Sequence, residues 1–262
     1  MTGGPSDAAH AEAARAEPAS EPEAAREAEL RHNLAALRAR IGAACAAAGR
    51  GAGEVTLIAV TKTFPASDVR LLAGLGITDV GENRDQEAAP KAISCADLRP
   101  PLRWHFIGQL QVNKCASVVG YADVVHSVDR LRLVRALGRR ARAAGRTITS
   151  LIQVNLDPGN AGHDEVHRGG ALPADVLELA EAIVAEDGLL LGGVMAVAPL
   201  GAPPRPAFRG LARIAADVRA IHPGAMMISA GMTGDLEDAI AEGATHVRVG
   251  TALLGGRRAF VR

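Results

Sequence analysis

The sequence alternates regularly between short β-branched runs and amphipathic helical segments. Eight runs predict strands: Val55–Val60, Thr78–Val80, Arg103–Ile107, Val124–Val128, Ile148–Asn155, Leu189–Val197, Ala225–Ser229 and Val247–Val249. Between them, apolar residues at helical spacing predict helices that include Ser67–Leu75, Asp129–Ala144, Pro173–Ala185, Pro206–Ile221 and Gly234–Glu242. Strands that alternate with helices form parallel sheets. Eight such units in roughly 250 residues indicate an α/β protein with a closed (β/α)8 barrel of the TIM type.

The turn after the first strand separates the two architectures that this alternation permits. An open, doubly wound sheet is the alternative to a barrel, and it usually carries a glycine-rich turn at this place. Here the segment Thr61–Pro65 reads TKTFP and contains no glycine. The sequence therefore favours the closed barrel.

The N-terminal part of the chain differs from the rest. Residues 1–25 are rich in Ala, Glu, Ser, Pro and Gly and have no apolar periodicity, so we expect a disordered tail. From Glu27 to Ala48, apolar residues recur every three or four positions and predict an extra helix ahead of the barrel. We therefore predict a tail over residues 1–25 and a single barrel domain over residues 26–262.

The charge balance and the cysteines narrow the classes of function. The chain has 29 basic and 29 acidic residues and a formal net charge of 0, whereas a sequence-independent nucleic-acid binder needs a basic excess. No apolar run approaches the roughly 18 residues of a membrane span, and the N-terminus shows no secretory signal. Cys45, Cys95 and Cys115 are odd in number and far apart, which fits no disulfide framework. We expect a cytoplasmic protein that binds neither nucleic acid nor membrane.

Two pairs of histidines could bind a metal or act as acid and base. His163 and His167 have the i, i+4 spacing of a zinc protease helix, but Asp164 stands where that motif has Glu. We therefore predict a solvated loop there and no metal site. His105 and His126 could act as acid or base, although buried, hydrogen-bonded histidines are commoner in strands.

Lysine is rare in this chain, which directs attention to each one. Only Lys62, Lys91 and Lys114 occur among the 29 basic residues. Lys62 directly follows the first apolar strand, and an amine at the mouth of an apolar barrel is more often neutral and nucleophilic. It could form a Schiff base with a carbonyl ligand. The alternatives are a strand-end lysine that extends into solvent or one that binds phosphate as a simple charge.

The turns after the last two strands have the composition of a phosphate site. Gly231 follows the seventh strand, and Gly250 and Thr251 follow the eighth, which is where barrels of this type usually bind phosphate. Glycine lets backbone amides approach an anion, and Ser229, Thr233 and Thr251 add hydroxyl groups. The alternative is a pair of ordinary turns with capping Ser and Thr side chains.

Arg248 alternates with two valines and can therefore face the barrel interior beside such a ligand. An amine next to a phosphate site suggests either pyridoxal phosphate or a phosphosugar aldolase. An Arg that faces a pyridine nitrogen would keep that nitrogen unprotonated and weaken the ring as an electron sink. The alternative for Arg248 is a structural ion pair within the barrel.

Five segments together carry a resemblance to a known family. The chain resembles the pyridoxal phosphate homeostasis proteins, which are single-domain relatives of the alanine racemase barrel, from about Leu30 to Arg257. The combination of the WHFIG and GEN segments is specific to this family. The matching segments are Val60–Thr63, Gly81–Asn83, Trp104–Gly108, His126–Asp129 and Arg248–Thr251.

The resemblance implies a function and a set of cofactor-binding residues. It implies a carrier and buffer of pyridoxal 5'-phosphate that lacks a robust reaction of its own and has no catalytic residues. A monomer that delivers the cofactor to apo-enzymes is expected, while a weak amino-acid racemase and a cofactor-free aldolase remain as alternatives. By this resemblance Lys62 holds the cofactor as a Schiff base, and Arg248 faces its pyridine nitrogen. Ser229, Gly231, Gly250 and Thr251 surround the phosphate, and Asn83, His105 and Met195 line the pocket.

The chain also departs from the family pattern at several positions. Arg84 stands where the family usually has Tyr, Val112 where it has Ser, and Ala230 where it often has Met. The Lys-containing stretch that commonly follows the fifth strand reads His167–Gly170 here. None of these departures affects Lys62, Arg248 or Thr251.

Overall fold

The fold is a closed barrel of eight parallel strands, as the sequence predicts. A computed structural model describes residues 20–157 and 169–256. The strands follow one another around the barrel in chain order, and β8 pairs with β1 to close it. Their bounds are β1 Thr56–Val60, β2 Asp79–Glu82, β3 Arg103–Phe106, β4 Val124–Val128, β5 Ile148–Gln153, β6 Leu189–Met195, β7 Met227–Ser229 and β8 His246–Val249.

Helices follow the strands and cover the outside of the barrel. Three of them (α3, α4 and α9) were not predicted, because α4 and α9 are too short to show a helical period and α3 contains Pro90. Residues Pro173–Asp175, predicted as the start of the next helix, form a 3-10 turn ahead of α6. The helices are α1 Glu21–Ala47, α2 Ala66–Gly74, α3 Asp85–Ser94, α4 Cys115–Val119, α5 Leu131–Ala143, α6 Val176–Val184, α7 Pro204–Ile221, α8 Leu236–Ala241 and α9 Thr251–Leu254.

The N-terminal helix begins earlier than the sequence predicts. It starts at Glu21 rather than Glu27, with a proline in its first turn, where the missing N–H costs nothing. Arg26, which the sequence offered no reason to single out, is buried and forms an ion pair with Asp68 of α2 at 2.7 Å. That contact needs the early turns to be helical. Of the tail predicted over residues 1–25, residues 1–19 lie outside the described residues, as do His163 and His167, and the residues from Glu21 onward are helical.

Helix α1 covers the seam where the barrel closes. It packs against α2, α8 and α9, which flank β1 and β8 in the sequence. Its buried side chains recur at helical spacing, so one apolar face meets the barrel. They are Leu30, Leu34, Leu37, Ile41, Ala44 and Cys45. No helix within the described residues is long and apolar enough to cross a membrane.

The barrel interior is divided into an apolar side and a polar side. Val124, Leu151 and Met195 form a small buried cluster of their own, separate from the two larger clusters that the outer helices share. Branched aliphatic side chains dominate the interior of most barrels of this type. The buried polar side chains of the interior come from β2, β3, β4, β7 and β8, and they form the candidate site and its support.

Candidate functional site

Lys62 lies at the carboxyl end of the barrel, directly after β1. Side chains alternate along a strand, so it shares the inward face with the buried Ile58 and Val60. Lys62 is partly exposed, and its amine forms no hydrogen bond or ion pair with another described residue. The other two lysines differ, because Lys91 is buried and ion-paired and Lys114 lies 3.8 Å from a carboxylate of Asp85. Lys62 is thus the described lysine with a free amine.

The backbone on both sides of Lys62 is held in place by hydrogen bonds. Lys91 Nζ donates to the Thr61 carbonyl at 2.7 Å, and Glu87 Oε2 accepts from the Thr63 amide at 3.0 Å. Thr63 has a φ of 68°, a left-handed conformation that a β-branched residue rarely adopts. These contacts fix the direction in which Lys62 leaves the strand.

A buried ion pair supports this turn and was missed in the sequence. Lys91 Nζ lies 2.5 Å from Glu82 Oε1, which also accepts from the Thr61 hydroxyl at 2.7 Å. Burial raises the pKa of Glu82, and the contacts with Lys91 and Thr61 offset this only in part. The signal was present as the Glu of the GEN segment and a lysine nine positions later, but their pairing depends on how α3 returns to the barrel.

Arg248 is buried in the barrel without a carboxylate partner among the described residues. Its Nη1 donates to Ser229 Oγ at 2.6 Å, and its Nη2 donates to the Ala196 carbonyl at 2.9 Å. Burial lowers its pKa to about 10, so the group remains charged at neutral pH. The structural ion pair considered as an alternative is not what holds Arg248. Both of its hydrogen-bond acceptors are neutral oxygen atoms, and the Asp235 carboxylate acts on its charge only from a distance.

Hydrogen bonds continue from Ser229 across the barrel. Ser229 Oγ lies 3.0 Å from His126 Nδ1, His126 Nε2 lies 2.9 Å from His105 Nδ1, and His105 Nε2 lies 2.8 Å from Asp79 Oδ1. We call Asp79, His105, His126, Ser229 and Arg248 the interior network. All five residues are buried.

The charge states of the interior network follow from burial and contact. Burial lowers the pKa of both His105 and His126, so both rings are neutral at pH 7. Burial raises the pKa of Asp79, but the hydrogen bonds from His105 and Thr78 lower it by more than burial raises it. The net pKa is below its ordinary value, so this group is a carboxylate. His105 and His126 are therefore buried, hydrogen-bonded strand histidines, which the sequence favoured over an acid or base.

The turns after β7 and β8 present backbone amides that are not used by the fold. The amides of Gly231, Thr233, Gly250 and Thr251 donate to no other described residue. Gly231 has a φ of 92°, and a Cβ at Gly250 would lie 3.1 Å from the Val60 carbonyl. The second contact places the end of β8 against the end of β1, next to Lys62.

The remaining predicted residues lie at different depths. Asn83 follows β2 and is partly buried, while Met195 ends β6 and is 2% exposed. His105 is fully buried and uses both ring nitrogens within the barrel, so no ring nitrogen is left for direct contact with a ligand at the mouth. Arg84, which departs from the family pattern, is exposed and pairs with Glu87 at 3.3 Å. Glu87 also accepts from the Thr63 amide, so Arg84 lies beside the turn that holds Lys62.

Comparison with known proteins identifies similar barrels along almost the whole chain. The family described as alanine racemase, N-terminal domain, matches residues 27–258. A pyridoxal phosphate homeostasis protein of Mycobacterium bovis is 42% identical over 250 residues, covering 89% of this chain and 95% of that protein. Its counterpart in Escherichia coli K12 is 38% identical, covering 87% and 97%. PipY of Synechococcus elongatus, solved with PLP bound, has a TM-score of 0.74 at 34% identity and covers 86% of this chain and 100% of its own.

Proposed function

The chain belongs to the pyridoxal phosphate homeostasis protein family, and on that premise we propose that it binds pyridoxal 5'-phosphate and serves as an intracellular carrier and buffer of this cofactor. The observation that carries the proposal is that Lys62, just after β1, and the buried Arg248, on the neighbouring β8, pair with no carboxylate among the residues that the structure describes. Bound there, the cofactor supplies an aldehyde that an amine captures reversibly and a pyridine ring that can withdraw electrons.

The residues present fit each of the three functional groups of this cofactor. Lys62 offers the amine for a Schiff base. The amides of Gly231, Gly250 and Thr251, which donate to no other residue in the described part of the chain, offer donors to a phosphate, which requires close backbone approach. Arg248 offers a permanent donor to the pyridine nitrogen. Asn83 and Met195, at the ends of β2 and β6, would border the ring.

The chemistry of Arg248 favours holding the cofactor over using it. A guanidinium with a pKa of about 10 donates a hydrogen bond but does not give up its proton at neutral pH. A pyridine nitrogen held beside this donor would stay unprotonated, which would make the bound ring a weak electron sink. We therefore propose storage and delivery to apo-enzymes, by a monomeric cytoplasmic protein, as the main activity.

Spectroscopy with chemical trapping tests where the cofactor binds. We expect a band near about 420 nm when pyridoxal 5'-phosphate is added, and borohydride reduction should leave the label on Lys62. Lys62→Ala should lose both signals, while Lys114→Ala, a surface change, should keep them. No band, or a label spread over Lys91 and Lys114, contradicts the proposal and favours the aldolase alternative.

Transfer and turnover assays then separate a carrier from an enzyme. The loaded protein should reactivate a cofactor-dependent apo-enzyme even when a scavenger of free pyridoxal 5'-phosphate is present. Loss of optical rotation from an L-amino acid, abolished in Lys62→Ala, would instead favour the racemase alternative. Light scattering tests the proposed monomer, for which we expect the mass of one chain, 27.0 kDa.

A further inference from the structure

The interior network extends through the barrel from one end to the other. Arg248 lies near the carboxyl end of β8, and Asp79 is the first residue of β2, at the amino end. Three neutral side chains connect them through contacts of 2.6–3.0 Å. A buried cation and a buried anion are thus joined without touching each other.

The direction of every hydrogen bond in the network is determined by its two ends. Asp79 as a carboxylate only accepts, so His105 Nε2 must carry a hydrogen. Neutral His105 then accepts at Nδ1, which requires His126 to donate from Nε2 and to accept at Nδ1. The hydrogen that His126 accepts can come only from the hydroxyl of Ser229. Arg248 only donates, and it completes the series at the Ser229 oxygen.

This direction changes the role of Ser229. A hydroxyl has one hydrogen, and the network uses it for His126. None remains for a phosphate group, so the phosphate contact expected of this side chain is not available to it. The Ser229 oxygen instead receives Arg248 Nη1 at 2.6 Å and sets the position of the guanidinium.

We infer that Ser229, His126, His105 and Asp79 are positioning residues, which hold the guanidinium of Arg248 in place for the pyridine nitrogen of the ligand. Asp79 acts on the ligand through three intervening side chains and never touches it. The inference rests on the proposed function, because it assigns the positioned Arg248 to a pyridine ring.

The tautomers of the two histidines test the network in the protein without cofactor. Long-range ¹H–¹⁵N NMR at pH 7 should show His105 and His126 each protonated at Nε2 and unprotonated at Nδ1, with His105→Gln and His126→Gln used for assignment. A hydrogen on Nδ1 of either ring, or a charged ring, overturns the inference. This result does not depend on whether the protein binds pyridoxal 5'-phosphate.

A comparison of two ligands separates positioning from phosphate binding. Pyridoxal has the same ring as pyridoxal 5'-phosphate but no phosphate. If Ser229 positions Arg248, Ser229→Ala should weaken the binding of both ligands by the same factor. We expect this factor to be about tenfold, because one charge-assisted hydrogen bond is lost. Thr251→Ala removes a hydroxyl from the turn after β8, where the phosphate is proposed to bind, and should weaken the binding of pyridoxal 5'-phosphate alone. A Ser229→Ala effect confined to the phosphorylated ligand overturns the inference.

The far end of the network provides a second test with a matched control. Asp79→Asn keeps the shape of the side chain and should weaken the binding of both ligands. The double variant Asp79→Asn/Ser229→Ala should bind only slightly more weakly than Asp79→Asn, because the effects of substitutions within one network are not additive. Asp97→Asn, an exposed carboxylate on the surface, is the control that should change neither. Full additivity contradicts the inference. Failure of the wild-type protein to bind either ligand would refute the proposed function and leave the NMR result as the test of the network.

Discussion

The guanidinium of Arg248 donates to the hydroxyl oxygen of Ser229 at 2.6 Å, and no carboxylate of the described residues neutralises its charge. A buried, unneutralised charge is costly, and it is commonest where a ligand or a reaction uses it. We therefore expect that ligand binding, rather than stability, explains the presence of an arginine here.

Replacing Arg248 should reduce the affinity for the cofactor more than it reduces the stability of the fold. Arg248→Met removes the donor and its charge, and fills much of the same volume. We expect affinity for pyridoxal 5'-phosphate to fall by about tenfold or more, since a hydrogen bond from a charged group contributes about 1.5–3 kcal/mol. Spectrophotometric titration measures this, with Arg219→Met in the last turn of α7 as control. Equal affinity in the two variants would contradict the role given to Arg248.

The Lys91–Glu82 pair should be a strong determinant of stability. Lys91→Met leaves Glu82 buried without its partner, which costs about 3 kcal/mol in similar cases. Urea unfolding should show this loss, and the double variant Lys91→Met/Glu82→Gln should recover part of it because no charge is then stranded. Lys114→Met, at a partly exposed pair, should change stability by less than about 1 kcal/mol. If both single lysine variants behave alike, the pair does not stabilise the turn that holds Lys62.

Stability should decline as the pH falls below neutrality. Burial lowers the pKa of His105, His126 and His246, in the last case to about 4. The unfolded chain, with histidines near pKa 6.5, binds more protons than the native state below that pH, so native stability is complete above it and is lost as pH falls toward 4. Each neutral histidine contributes up to about 1.4 kcal/mol per pH unit in this window.

Urea unfolding at pH 7.5, 6.0 and 5.0 checks this dependence. His246→Gln removes one of the three titrating groups and should flatten the curve. Replacing the largely exposed His32 on α1 should leave the slope as it is. A wild-type stability that is constant from pH 7.5 to 5.0 would mean that the three rings are not held neutral.

The early start of helix α1 should be measurable as stability. Arg26 pairs with Asp68 at 2.7 Å and donates to the Leu254 carbonyl at 3.1 Å, so it joins α1 to both α2 and α9. Asp68→Asn removes the buried counter-charge of Arg26, leaves only the more exposed carboxylate of Glu29 at 2.8 Å, and should cost about 2 kcal/mol. Arg31→Gln removes an exposed pair within α1 and serves as the control. Equal unfolding midpoints for the two variants would show that the contact between helices contributes little.

The sequence predicted the fold in detail because the barrel follows from period alone. Each predicted strand ends within two residues of the observed one, since β-branched runs and inward alternation are local properties. The proximity of Lys62 and Arg248 was also predictable, because β1 and β8 must meet when a barrel closes. In contrast, helix α3 was missed, and with it the contact of Lys91 with Glu82.

The interior network was out of reach for a different reason. Burial of His105 and His126 could be expected from their strands, but their bonds to each other and to Asp79 and Ser229 depend on the stagger between neighbouring strands. A shift of one residue in that register would turn each side chain to the opposite face. Ser229 was accordingly assigned to the phosphate by its neighbourhood, whereas its hydroxyl faces the interior network.

Lys62 and Arg248 come from the first and last strands, which pair side by side from Thr56 with His246 to Ala59 with Val249. A ribosome therefore completes the amine first and its partner strand only after the six strands between them. Until β8 joins the barrel, Lys62 has neither the guanidinium of Arg248 nor the turn at Gly250 and Thr251 beside it. Tight cofactor capture would then report that the barrel has closed, and a chain without β8 would hold back none of the cell's supply.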